Sequence, residues 1–157
     1  MAVLTQKDYR LVEGARAKVD LIDLSKVHLN LMDQVEGPGW SAARCRDVEY
    51  RYRVFLMGHL LYPELSFAPD KEVDVFWHYH ILDTRAYIAD CKDLFDEYLH
   101  HNPYLGMEGH ESTRELARAW ALTQELYESV AADVLVSAAF CGMGKPAFCG
   151  TAAFCGM

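Results

Sequence analysis

The sequence predicts an all-α fold: a small bundle of four to five helices followed by a flexible C-terminal tail. Three observations predict it. Apolar residues recur at intervals of three and four over most of the first 133 positions, the spacing that lines one face of an α-helix. Helix-breaking residues separate these runs, at Gly37-Pro38-Gly39, between Pro63 and Pro69, and at Asn102-Pro103. From position 134 onward the acids stop and Lys145 is the one base left. The expected division is therefore a histidine-rich helical body over 1–133 and a low-complexity tail over 134–157.

The first helical region runs from Gln6 to about Met32, with Leu11, Val12, Ala15, Val19, Ile22, Val27 and Leu31 on its apolar side. It can break at Asp23-Leu24-Ser25, where Ser25 would cap a second, short helix. Ser41 is a good N-cap for the next helix, which reaches about Leu61 and turns Val48, Tyr52, Phe55, Leu56, His59 and Leu60 inward. Asp70 caps a third helix from about Lys71 to Leu99, and Glu72 and Asp74 in its first turns suit the positive end of the helix dipole. A last helix starts near Glu111 or Ser112 and runs to about Ala132, burying Leu116, Trp120, Leu122, Thr123, Leu126, Tyr127 and Val130.

One stretch admits a second reading. Val73 to Ile81 alternates, and as a strand it would put His78 and His80 on one face, a familiar way to hold a metal. As a helix the two point about 200° apart. The helix accounts for more residues, because Val73, Phe76, Trp77, His80, Thr84, Tyr87, Cys91, Leu94, Phe95 and Tyr98 then form one stripe. Asp74, His78 and Arg85 share another side.

Composition narrows the function classes. A chain of 157 residues is long enough to fold as one domain without disulfides or a structural metal. A net charge of −8 disfavours nucleic acid and anionic membranes, both polyanions, as partners. Met1-Ala2-Val3-Leu4 gives way to polar residues too soon for a secretory signal, and no apolar run spans a bilayer. The expected address is the cytoplasm, where Cys45 and Cys91 stay reduced.

The histidines carry the sharpest chemical possibility. His80 lies in the apolar stripe, and a buried imidazole needs a partner for each nitrogen; Asp83, close by, can accept one ring N–H. His100 and His101 follow at the helix end, His110 lies beyond the next loop, and His59 faces the same core. Three neutral imidazoles, or two with a carboxylate, suffice for zinc, iron or copper, so His78, His80, Asp83, His100 and His101 form the candidate ligand pool. No His-Glu-x-x-His or Cys-x-x-Cys spacing reinforces it. The bland alternative is a hydrogen-bonded core histidine at 80 and a dipole-complementing pair at 100–101. No phosphate-binding loop or serine elbow is present, and Cys45 and Cys91 lie in helix stripes rather than at exposed turns.

The string Val73-Asp74-x-Phe76-Trp77-His78-x-His80-Ile81-Leu82-Asp83-Thr84, with Tyr87, Asp90-Cys91 and Leu99-His100-His101-x-Pro103-Tyr104, resembles the glycine-rich domain-containing protein-like family. Gly39-Trp40-Ser41 and the Tyr52-Phe55-Leu56 stretch fit as well, so the resemblance spans about residues 18–130. It implies an all-helical domain and little chemistry. The glycine-rich and RNA-binding additions of its plant relatives have no counterpart here. The pattern it resembles carries a glycine after Phe95, where this chain has Asp96.

In the tail, Ser137-Ala138-Ala139-Phe140-Cys141-Gly142-Met143 is nearly repeated by Thr151 to Met157, with the shorter copy Phe148-Cys149-Gly150 between them. Its Gly, Ala and Pro content cannot build a core, so disorder is expected. Cys155 stands third from the end rather than fourth, which argues against prenylation. The thiols of Cys141, Cys149 and Cys155 could chelate a soft metal or serve as substrates of a peptide-modifying partner. An inert extension is the plain alternative. Three functional readings follow: a zinc-, iron- or copper-binding helical domain with a thiol-rich tail, a non-enzymatic interaction module or precursor whose tail is modified, and an oxidoreductase or hydrolase using that metal.

Overall fold

A computed structural model describes Leu4 and residues 7–141, with side chains through 131. Among these residues there are six helices and no strand: α1 (Tyr9–Asp20), α2 (Ser25–Met32), α3 (Ala42–Leu61), α4 (Lys71–Leu82), α5 (Thr84–Phe95) and α6 (Gly109–Cys141). The chain divides into two compact units, Met1–Tyr127 and Glu128–Met157. The second is described here only as the continuation of α6. No helix among the described residues is long and apolar enough to cross a membrane.

The caps act where the sequence puts them, with one exception. Ser41 accepts from the Arg44 N–H, and Asp70 accepts from the N–H groups of Glu72 and Val73, each satisfying donors that a helix start leaves free. At the break after α1, Ser25 does not cap. It is the first residue of α2, and its own N–H donates to Asp23 at 3.0 Å. Gly39 takes φ +67 where the chain enters α3, and the Trp40 N–H then donates to the Leu31 carbonyl at 2.8 Å.

Helix α3 is the hub, in contact with α1, α2 and α4. Its second half is buried on several sides, with Val54, Phe55, Leu56, Met57 and Gly58 all inside, so the single inward stripe expected for it is too narrow. Arg53 seals the end of α1 by donating to the carbonyls of Val19 and Ile22, the latter at 3.0 Å, while pairing with Glu49. Arg51 holds the start of α4 through Asp70 at 2.5 Å and Glu72 at 2.6 Å. This contact, reinforced by Arg44, keeps the Glu72 carboxyl below its usual range.

The largest departure from the expected helices is at Asp83. The expected helix from Lys71 to Leu99 is two helices, and Asp83 (φ −79, ψ 71) ends the first and caps the second by accepting from the Ala86 N–H at 3.4 Å. Aspartate competes for backbone donors in this way and favours such junctions over helix interiors. The chain folds back there, and α5 packs on α4. Thr84, expected in the buried stripe, is exposed, while Tyr87, Cys91 and Leu94 resume the buried line on α5.

Helix α5 stops at Phe95 because Asp96 takes the left-handed conformation (φ 60), a common helix ending. Helix α6 lies against Ala68, whose carbonyl accepts from the Thr123 hydroxyl at 2.8 Å. Instead of ending near Ala132 it continues to Cys141, as the alanines at 131, 132, 138 and 139 permit before Gly142. Cys141 therefore falls at a helix end. Its side chain, Cys149, Cys155 and the disorder expected of the repeats lie outside the described residues.

Candidate metal centre

Two anchors bring the segment after α5 back onto α4. The Trp77 indole N–H donates to the Tyr87 hydroxyl at 2.8 Å, and that hydroxyl donates to the Leu99 carbonyl at 2.6 Å. With Leu99 held, His101 reaches α4, where its ring lies 4.7 Å from that of Trp77. Its Nε2 lies 2.8 Å from Asp74 Oδ1. Asp74 and His78 are one helical turn apart on α4, and His78 Nδ1 is 3.7 Å from Asp74 Oδ2.

The result is a group of three donors, Asp74, His78 and His101, whose ligand atoms all lie within 4.8 Å of one another. The His78 and His101 rings are 4.5 Å apart. Bonds of about 2.0–2.2 Å from a central ion would set such donors about 3.3 Å apart, so small side-chain rotations close the site. The side chains of His78 and Asp74 are 48% and 35% exposed and that of His101 15%, so the cluster opens to solvent on a partly buried wall. Two imidazoles and one carboxylate suit zinc, iron(II) or copper(II) and leave further coordination positions open.

The structure thus brings together two of the five pooled residues, His78 and His101, and leaves out three. His80 is buried with both ring nitrogens engaged, Nδ1 by the Tyr52 hydroxyl and Nε2 by Asp90, each at 2.9 Å. Burial holds its imidazole below the ordinary value against the opposing pull of Asp90, and burial pushes the Asp90 carboxyl up. In the neutral ring this favours, Nε2–H donates to Asp90 and the tyrosine hydroxyl donates to Nδ1. The partner anticipated for His80 was Asp83, but Asp83 is occupied as the cap of α5. His100 turns to the exposed side, its ring tilted against that of Tyr98 at 4.7 Å. His110 is exposed, and His59 lies elsewhere, between Phe55 and Phe67.

Sequence reasoning missed Asp74. Its role as an acid in the first turns of a helix sufficed to explain it, although it shares a face with His78 at a spacing of four.

A family model, UCP032817-like, matches residues 17–133, a stretch that contains all three donors. No curated protein and no solved structure matches the chain.

Proposed function

This chain belongs to the UCP032817-like family, and we propose that its helical domain binds a transition-metal ion through Asp74, His78 and His101. The observation that carries the reading is the convergence of two imidazoles and a carboxylate within 4.8 Å from two separate segments. A simple structural tie would need only the Asp74–His101 hydrogen bond and gives no reason for His78 to stand beside it. Zinc, iron(II) and copper(II) all fit this donor set, and the open positions leave room for water or a second ligand.

The test is calorimetric titration of the chain with its tail cysteines, Cys141, Cys149 and Cys155, changed to serine, using zinc and cobalt(II), the latter also read by its visible spectrum. One ion per chain is expected. His78→Ala and His101→Ala each weaken it by about tenfold or more with the fold retained, while His100→Ala changes nothing. Saturable binding that survives both alanine variants would remove the site.

The tail supports a second reading. Three copies of Phe-Cys-Gly at 140–142, 148–150 and 154–156 suit a thiol-bearing segment that chelates metal, or one that a partner enzyme modifies. In that reading the helical domain is a recognition module. A covalent mass increase confined to the tail peptide in protein from its own host would favour it.

A further inference from the structure

A groove between α1 and the end of α3 is independent of the metal cluster. It encloses about 340 Å³, at the lower end of the range for small-molecule sites. Leu11, Leu60 and Leu61 supply its apolar surface, and Leu11 is left 59% exposed beside it. Lys7, Arg10 and Lys18 stand around it, and no acid among the described residues lines it, in a chain whose net charge is −8. Lys7 is placed by the Tyr62 ring, 4.5 Å below its ammonium. Neither Arg10 nor Lys18 has a side-chain ion pair with any described residue.

Gly14 lies in the middle of α1 and lines the same groove. A glycine there weakens the helix. Close packing does not require it, since a Cβ at Gly14 would meet nothing within 4 Å, and its φ is not positive. The volume that a side chain at 14 would occupy is that of the groove.

We infer that this groove binds a single-chain amphiphile with an anionic head, its alkyl chain against Leu11, Leu60 and Leu61 and its head among Lys7, Arg10 and Lys18. Two features select this occupant over a partner helix: the volume, which suits one chain rather than a row of side chains, and a cationic rim on an acidic protein. Charged hydrogen bonds to the head supply specificity, and the apolar floor supplies contact area.

The experiment titrates the full chain calorimetrically with decanoate, alongside decanol (the chain without the charge) and acetate (the charge without the chain). Decanoate is expected to bind one per chain, about tenfold or more tighter than either fragment. Gly14→Leu fills the groove and strengthens α1, so it should weaken decanoate by at least about tenfold while raising the melting temperature. Arg10→Glu combined with Lys18→Glu should weaken it similarly. Decanol binding as tightly as decanoate, non-saturating uptake, or undiminished binding to a folded Gly14→Leu protein would each overturn the proposal. So would a lack of decanoate binding accompanied by Gly14-sensitive binding of an acidic amphipathic peptide or of anionic phospholipid vesicles.

Discussion

His59 shows what a buried ring nitrogen without a hydrogen bond costs this protein. Its Nε2 is buried without a hydrogen-bond partner among the described residues, its ring lies 4.9 Å from Phe55 and 5.3 Å from Phe67, and burial lowers its pKa from 6.5 to about 4. Between those two values the unfolded chain takes up a proton that the folded ring refuses. Stability therefore falls as the pH drops from about 6.5 to about 4, by up to about 3 kcal/mol. His59→Phe should flatten this slope in urea denaturation measured across that range, leaving the part due to His80; an unchanged slope would assign the acid sensitivity elsewhere. Asp96 is a second residue with a cost. It holds φ 60, where its backbone N–H donates to the Lys92 carbonyl and its side chain makes an exposed ion pair with the same lysine. Asp96→Gly should gain about 1 kcal/mol by chemical denaturation. At this scale the chemistry of Asp74, His78 and His101 was legible in their identities. Their grouping was not, because the i,i+4 pair on α4 acquires a third donor 23 residues after His78 in the chain.

The six helices owe their boundaries to local chemistry and their contacts to small residues at particular points. Gly58 is one such point. A Cβ there would come within 2.5 Å of Leu126 Cδ2 and 3.3 Å of the Phe67 ring, so the buried Leu126 side chain would have to shift. Gly58→Ala should cost about 1–3 kcal/mol by overpacking α3 against α6, whereas Gly14→Ala should gain about 0.5–1 kcal/mol. Paired urea melts would check both, and equal effects of the two changes would refute the contact as described. The caps at Ser41 and Asp70 were readable because they depend on residues within three positions. The break at Asp83 was harder to see, since the apolar spacing runs through it without interruption and a single non-helical residue (φ −79, ψ 71) folds α5 back onto α4. That reversal sets Asp90 of α5, and not Asp83, against His80.

At the scale of the whole molecule, all three proposed metal donors lie in the unit Met1–Tyr127, while the Phe-Cys-Gly copies belong to Glu128–Met157. Deleting residues 142–157 should therefore leave one histidine-bound ion per chain. It should remove only additional thiol-bound copper(I) or zinc, as read by native mass spectrometry; loss of the first ion on deletion would move the site to the tail. The helical class, the caps at Ser41 and Asp70, most of the buried positions and the change in composition near 134 followed from the sequence alone, because periodicity and capping act over a few residues. Tertiary structure alone decided that His80 is a satisfied core histidine, that Asp74 joins His78 and His101, and that the stripe of 73–98 is folded in two. Each of these depends on which distant segment fills the space beside a helix, and local spacing carries no record of that neighbour.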